Sequence, residues 1–155
     1  MPTIRIETVI AAPPERCFDL ARDIDAHVRS TAATRERAVG ARTSGLLGPG
    51  DEVTWEATHF AIRQRLTARI TRFERPRVFE DVQVRGSFAE LHHVHEFEPT
   101  PTGTRMVDTF TFRSPLGPLG AVVDRLLLTA YLRRFLERRA AELKSLAESV
   151  QERTA

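Results

Sequence analysis

Two neighbouring segments in the C-terminal half of the chain alternate apolar and polar residues with a period of two, as half-buried strands do. A turn at 99–103 separates them and predicts a hairpin. Buried ionisable groups cost free energy unless they have partners, so histidines and an aspartate on apolar faces mark this hairpin as a candidate site. The two faces carry Leu91, His93, His95 and Phe97 in the first segment and Thr104, Met106, Asp108, Phe110 and Phe112 in the second.

The same alternation predicts three further strands. The first covers residues 4–11, and the other two cover 52–59 and 62–71. On the strand at 52–59, Trp55 and His59 share the apolar face. The segment at 78–85 is ambiguous, because neither of its faces is clearly apolar. Residues 13–21 predict a helix, 23–30 a short helix or turn, and 34–41 a weakly patterned strand.

From Leu119 the spacing of apolar residues changes to 3.6, which predicts one long C-terminal helix. Residues 121–132 are apolar on almost every side, more than a one-sided helix requires. That stretch must therefore contact a loop, a second subunit or a bound ligand. The stripe that continues along the helix contains Leu128, Leu132, Phe135, Arg139, Leu143, Leu146 and Val150.

With 155 residues, the chain has room for one domain with its own core, which we place at residues 1–150 with a short tail at 151–155. Hydrophobic residues make up 41% and charged residues 28%, as in ordinary globular proteins. We expect no signal peptide and no membrane span, since charged residues interrupt the apolar stretch near Leu126. We therefore expect a cytoplasmic protein.

The charge pattern argues against nucleic-acid binding. The formal net charge is only +2, and no basic block with interleaved aromatic residues is present. Arg63, Arg65 and Arg69 lie on one strand face beside a strand carrying Glu52 and Glu56, which predicts cross-strand ion pairs on a solvated sheet. The single cysteine, Cys17, excludes an internal disulfide and is interpreted as a buried hydrophobic residue.

A dispersed set of residues over most of the chain forms a pattern found in other proteins: Val53, Thr54, Trp55, Ala57, His59, Phe60, Phe79, Asp81, Gln83, Gly86, Phe88, His93, His95, Phe97, Gly103, Thr104, Asp108, Pro115, Leu116, Gly117, Leu119 and Gly120. In these residues the chain resembles the START-like superfamily often labelled SRPBCC, and within it the bacterial polyketide cyclase/dehydrase-like group. One departure is Ser87-Phe88, where related sequences tend to have Pro-Phe.

The resemblance implies an α+β helix-grip fold, in which a curved antiparallel sheet wraps around the long C-terminal helix and encloses a cavity. It also favours Phe79, Asp81 and Gln83 as the inward face of the ambiguous strand. Superfamily members bind lipids, sterols, polyketides and other apolar molecules, and some catalyse reactions in the cavity. If these inward faces and the apolar faces of the other strands line the cavity, the ligand-binding residues are Trp55, His59, Phe79, Asp81, Gln83, Leu91, Phe97, Met106 and Phe110.

The polar cluster of the cavity admits several interpretations. It is either a structural hydrogen-bond network or the catalytic group of a cyclase or dehydratase, in which His93, His95 and Asp108 supply general acid-base chemistry. In the second case another imidazole or Gln83 would stabilise an enolate. A metal site built from the two histidines and Asp108 is a weaker alternative, and we expect no cofactor.

Two histidines, His27 and His92, are expected at the surface without a role. The apolar surface at 121–132 is also compatible with a homodimer or a partner protein. The hypothesis that the sequence favours is a protein that binds a hydrophobic or aromatic small molecule, of a lipid-, quinone- or polyketide-like kind.

Overall fold

The sheet is the largest element of the structure, a computed structural model that describes residues 1–154 and the side chains of residues 1–149. Within that range, seven antiparallel strands pair in the order β1-β7-β6-β5-β4-β3-β2. The edge strands are therefore β1 and β2. The strands are β1 (Thr3–Ile10), β2 (Arg37–Val39), β3 (Glu52–His59), β4 (Ile62–Glu74), β5 (Val78–Arg85), β6 (Glu90–Thr100) and β7 (Gly103–Arg113).

The helices lie between β1 and β2 and after β7. A 3₁₀ turn at Ala32–Thr34 follows the first pair, and a π-helical turn at Asp124–Leu128 joins the last pair into one continuous helical segment. The predicted long C-terminal helix is thus confirmed, with a π turn inside it. The helices are α1 (Pro14–Ala21), α2 (Ile24–Ser30), α3 (Gly117–Val123) and α4 (Thr129–Thr154).

The hairpin predicted at the C-terminal half is confirmed, and its strands are longer than expected. β6 and β7 pair without interruption from Glu90 opposite Arg113 to Thr100 opposite Gly103. Gly103 has a positive φ of 151°, and a Cβ there would clash with the carbonyl oxygen of Ile10. This register places His95 directly opposite Asp108 on the face that points toward α4.

The sheet bends around α4, which contacts β1, α1 and α2. Register shifts between β4 and β5 interrupt the regular pairing near Thr67 and Ile70, and such irregularities increase the local bend of a strand. The resulting half-barrel with a long C-terminal helix is the expected helix-grip fold.

An aromatic cluster closes one end of this half-barrel. Phe18 of α1 makes edge-to-face contacts with three phenyl rings of the sheet, Phe73, Phe79 and Phe97, at centroid distances of 5.3, 5.2 and 5.4 Å. Such pairs stabilise a core beyond their buried area. The end of the sheet next to α1 is consequently filled by protein.

On the outer face of β3 and β4, the predicted cross-strand pairing of charges is confirmed. Glu56 is contacted by Arg37, Arg63 and Arg65, and Arg69 pairs with Glu52. Hydrogen bonds from Arg65 and the other two arginines lower the pKa of Glu56 to about 2. These arginines therefore have carboxylate partners.

The start of the C-terminal helical segment exposes an apolar surface, which we call the α3 patch. Its residues are between 55% and 75% exposed, so the described part of the chain does not cover them. The α3 patch consists of Leu116, Leu119, Val122, Leu126 and Leu127.

No helix within residues 1–154 is long and apolar enough to cross a membrane.

Candidate functional site

The main cavity lies between the concave face of the sheet and α4 and has a volume of about 130 Å³. An outer chamber of about 190 Å³ adjoins it and shares His59 and Leu132 with it. Both walls of the main cavity are largely apolar, as is typical of small-molecule sites. The apolar lining includes Trp55, Leu66, Leu91, Phe110, Leu132 and Phe135.

Several of the predicted ligand-binding residues line this main cavity: Trp55, His59, Asp81, Leu91 and Phe110. Others lie elsewhere. Phe79 borders a smaller inner chamber of about 50 Å³, and Met106 lies beside a void of about 10 Å³. Phe97 packs against Phe18 in the aromatic cluster, away from both chambers.

Gln83 was predicted to bind the ligand, but it does not line the main cavity. Its Nε2 donates to the carbonyl oxygen of Phe88 at 2.8 Å, and its Oε1 accepts from the Phe88 N–H at 3.3 Å. The amide is thereby engaged with the backbone of the β5–β6 loop, whose residues Ser87 and Phe88 form part of the cavity wall. Gln83 thus shapes the cavity through the loop.

The polar cluster is centred on His95, which is 1% exposed. Its Nδ1 lies 2.7 Å from Asp108 Oδ1 and its Nε2 lies 2.9 Å from Asp81 Oδ2. Burial opposes a charge on this ring, but hydrogen bonds to Asp108 and Asp81 outweigh it and raise the pKa of His95. The ring also stacks on Phe79 at a centroid distance of 4.3 Å. Both ring nitrogens of His95 thus face carboxylates, an arrangement that favours the protonated ring, which donates from both nitrogens.

His93 has the opposite character. Its Nε2 donates to Asp108 Oδ1 at 3.1 Å, and its ring contacts the His95 ring at a centroid distance of 3.8 Å. Burial, together with the neighbouring charge of His95, lowers the pKa of His93 to about 4. His93 is thus neutral at pH 7, and it lines the main cavity, whereas His95 and Asp108 lie behind it.

The carboxylates of the cluster remain ionised despite their burial. Burial by itself would raise the pKa of Asp108, but hydrogen bonds from His93 and His95 hold that pKa far below its usual range. Burial also opposes ionisation of Asp81, but the hydrogen bond from His95 and the attraction of His93, His95 and Arg139 together lower its pKa. The cluster therefore contains two carboxylates, and both of them favour the protonated form of His95.

A metal ion has one candidate position in this cluster. Asp81, His93 and His95 each offer one ligand atom, and these atoms lie within 4.8 Å of one another. The carboxylate of this set is Asp81, whereas the sequence suggested Asp108. Asp108 instead bonds to His95 Nδ1, the position of a second carboxylate that orients a ligating histidine.

The sequence analysis missed a second polar group, formed by His27 and Glu36. The expectation that His27 is a surface residue is wrong: its Nε2 lies 2.8 Å from Glu36 Oε1, and its ring stacks on Trp55 at 3.9 Å. Both residues line the main cavity. Burial and the positive charge of Arg139 lower the pKa of His27. His92, by contrast, keeps a 39% exposed side chain on the outer face, as expected.

Arg139 of α4 is the third missed residue. It is only 9% exposed and lines the main cavity. Its position on the apolar stripe of the helix is visible in the sequence and could have identified it. His59 and Tyr131 both line the outer chamber, and His59 Nδ1 and the Tyr131 hydroxyl share a hydrogen bond of 2.7 Å. The cavity thus combines apolar walls with convergent polar groups from the sheet, α2 and α4.

Comparison with known proteins agrees with this architecture. Residues 1–148 match the model of a family described as polyketide cyclase / dehydrase and lipid transport. No curated protein matches the sequence significantly.

Solved structures from distant organisms share the fold. A Thermus thermophilus protein has a TM-score of 0.72 at 21% identity, covering 94% of this chain and 99% of its own. A Chromobacterium violaceum protein has a TM-score of 0.74 at 16% identity, covering 94% and 96%. The major latex-like protein 151 of Panax ginseng has a TM-score of 0.70 at 12% identity, covering 94% and 97%. At these identities the similarity establishes the fold alone.

Proposed function

Because this chain belongs to the polyketide cyclase/dehydrase and lipid transport family, within the START-like superfamily, we propose that it binds a hydrophobic or aromatic small molecule between its sheet and α4. The proposed ligand is lipid-, quinone- or polyketide-like. A hydrophobic ligand-binding fold is common to this family, and the cavity of this chain supports the finer proposal.

The observation that carries the proposal is the lining of the main cavity. Aromatic and aliphatic side chains from both sides surround about 130 Å³, and the adjoining outer chamber extends this space past Leu132. A few polar groups converge on the same space, in the combination that fixes the orientation of a mostly apolar ligand. A fully packed core would not leave such a volume, because protein interiors contain few voids larger than a water molecule.

Native mass spectrometry of the purified protein, followed by organic extraction, tests this proposal. We expect a mass above that of the bare chain and an extractable apolar compound. Leu66→Trp should remove that compound, because Leu66 lines the main cavity and a larger ring would fill it. Leu127→Trp is the matched control, since Leu127 is 63% exposed on the α3 patch.

A bare mass, combined with no binding in a titration of apolar compounds, would contradict ligand binding. Retention of the same compound by both tryptophan variants would instead contradict the cavity as its location.

The second candidate function, a polyketide cyclase or dehydratase, is favoured by one observation: His93 is neutral, faces the main cavity and is oriented by Asp108. A neutral imidazole in this position can accept a proton from an acidic carbon, and the enolate that forms would need a hydrogen-bond donor in the cavity. Gln83 is not available for that role, because its amide bonds to Phe88. We rank catalysis second, since a pKa of about 4 makes His93 a weak base.

Deuterium exchange at the activated methylene of a β-diketone tests this second function. We expect His93→Gln to abolish protein-catalysed exchange if His93 is the base. His92→Gln is the control, because His92 lies on the outer face of the same strand. Equal rates with and without the wild-type protein would leave binding as the function.

A further inference from the structure

Arg139 is a buried cation whose guanidinium has no partner in the described part of the protein. The residue is 9% exposed, and its Nε is buried without a hydrogen-bond partner. Among the described residues, no carboxylate oxygen lies within 4.0 Å of its guanidinium nitrogens, the distance at which an ion pair forms. Arginine is ionised at any physiological pH, so the residue cannot escape this cost by losing a proton.

The guanidinium borders the space that a ligand would occupy. Arg139 lines the main cavity and also the inner chamber. Its neighbours around the main cavity are the apolar Phe135 and Leu136 on the same helix. Arg139 is therefore part of the wall of both cavities, and its unpartnered Nε belongs to a side chain that borders the proposed ligand site.

The carboxylates nearest to this space already have other partners. Glu36 bonds to His27 at 2.8 Å, and Asp81 bonds to His95 at 2.9 Å. Asp108 lies behind the two histidines and bonds to both. Each of these anions thus has an imidazole as its hydrogen-bond partner. Arg139 acts on Glu36 and Asp81 only through space, by lowering the pKa of each, and its Nε has no hydrogen-bond partner within the described residues.

We infer that Arg139 binds the carboxylate of an apolar carboxylic acid, with the hydrocarbon part of the ligand against the walls of the main cavity. This inference rests on the proposed function and names its ligand class. The planar fork of arginine matches a carboxylate with two parallel N–H···O bonds. Leu66, Phe110 and Leu132 provide the apolar contact for the remainder of the molecule.

Charge selects the carboxylate over a phosphate ester. A ligand near Arg139 also lies near Glu36 and Asp81, two carboxylates that line the same cavity and have lowered pKa values. A phosphate monoester brings nearly two negative charges into this surrounding, whereas a carboxylate brings one. Repulsion from Glu36 and Asp81 is therefore smaller for the carboxylate, and Arg139 can form its paired N–H···O bonds with it at a lower electrostatic cost.

Isothermal titration calorimetry with decanoate and decan-1-ol tests the inference, because the two probes share an alkyl chain and differ in the anionic group. We expect wild-type protein to bind decanoate at least about tenfold more tightly than decan-1-ol. Arg139→Met should reduce the affinity for decanoate by a similar factor and leave decan-1-ol almost unchanged. Arg138→Met, on the exposed side of α4, should behave as wild type.

Other results would separate failure of the carboxylate inference from failure of the proposed ligand binding. Equal affinity of the two probes for wild-type protein, or an equal loss of both in Arg139→Met, would overturn the carboxylate inference and leave ligand binding intact. Binding of neither probe to the wild-type protein would overturn the inference together with the proposed function.

A measurement on the wild-type protein alone covers the case in which the variant does not fold. In a ¹³C NMR titration of carboxyl-labelled decanoate, we expect the pKa of the bound acid to fall below that of the free acid, since Arg139 stabilises the anion. A raised pKa, the result for an acid in a purely apolar cavity, would overturn the inference.

Discussion

His95 and Asp108 lie directly opposite each other on neighbouring strands, with Nδ1 and Oδ1 2.7 Å apart. The pair is almost completely buried, and Asp108 also accepts the hydrogen bond from His93. A single carboxylate therefore sets the orientation of His93 and His95.

Asp108→Asn should lower the free energy of unfolding by about 3 kcal/mol at pH 7, because it removes the buried carboxylate that bonds to both His93 and His95. Urea denaturation followed by circular dichroism measures the change. Glu98→Gln is the control, since its ion pair with Arg105 is largely solvent-exposed and contributes far less. Similar effects of the two substitutions would contradict a structural role for the Asp108 carboxylate.

Protonation of His93 should destabilise the protein in mildly acidic solution. An unfolded histidine has a pKa near ~6.5, so with a folded pKa of about 4 the unfolded state binds more protons between these values. The contribution of His93 to the free energy of unfolding is therefore complete above about pH 6.5. It decreases by about 3 kcal/mol as the pH falls toward about 4.

His93→Gln should accordingly flatten the dependence of unfolding free energy on pH in this window, as measured by urea denaturation at closely spaced pH values. His95 has the opposite sign: its raised pKa gives a contribution that is present in acid and decreases as the pH rises through its folded pKa. His92→Gln should keep the wild-type slope. An unchanged slope in His93→Gln would show that other groups cause the acid sensitivity.

Gln83→Leu should loosen the loop that covers the main cavity. The substitution removes both hydrogen bonds to Phe88 while keeping a side chain of similar size, and we expect a loss of about 1–2 kcal/mol in stability. Hydrogen–deuterium exchange should accelerate at residues 86–89. Gln64→Leu, which changes another cavity amide without disturbing this loop, should leave that exchange as in the wild type. Unaltered protection in Gln83→Leu would mean that packing of Phe88 suffices to hold the loop.

Removal of metal ions should leave the Tm unchanged. Both nitrogens of His95 already bond to carboxylates, so the fold gains its polar contacts in this region without an ion. Differential scanning calorimetry before and after treatment with EDTA checks this expectation. A lower Tm after chelation, restored by added zinc, would instead indicate an ion held by Asp81, His93 and His95.

The α3 patch gives a prediction about assembly. If two copies associate through it, the combined substitutions Leu119→Ser and Leu126→Ser should shift the protein toward monomer in sedimentation velocity. Because both side chains are largely exposed, the Tm of the variant at low protein concentration should remain close to that of the wild type. A monomer in both proteins would contradict the homodimer.

Much of the sheet could be predicted from the sequence, because long alternating strands leave little freedom in their orientation. Once Leu91 and Phe97 face inward, the period of two requires His93 and His95 to do the same. The strand at Val78–Arg85 lacked this constraint, and only the family resemblance selected Phe79 and Asp81 as its inward residues. The side chain of Val150, predicted at the end of the helical stripe, lies outside the described side chains.

The missed half of the candidate site comes from segments whose local pattern is weak. His27 lies on a seven-residue helix and Glu36 beside a three-residue strand, too short for a period to indicate which face is buried. Their burial results from the packing of α2 against α4, a contact between distant parts of the chain. Arg139 was visible on the apolar stripe, but its lack of a partner is a property of the folded cavity alone.

The stacking of His27 on Trp55 makes the cavity observable by optical spectroscopy. Trp55 is the only tryptophan of the chain and lies in the cavity wall, so its emission reports on that one place without a label. Displacement of the imidazole from its 3.9 Å stacking distance, or exclusion of water from the indole, should change both the intensity and the wavelength of this emission. Occupancy of the cavity can therefore be followed in real time in the unmodified protein, including in stopped-flow experiments.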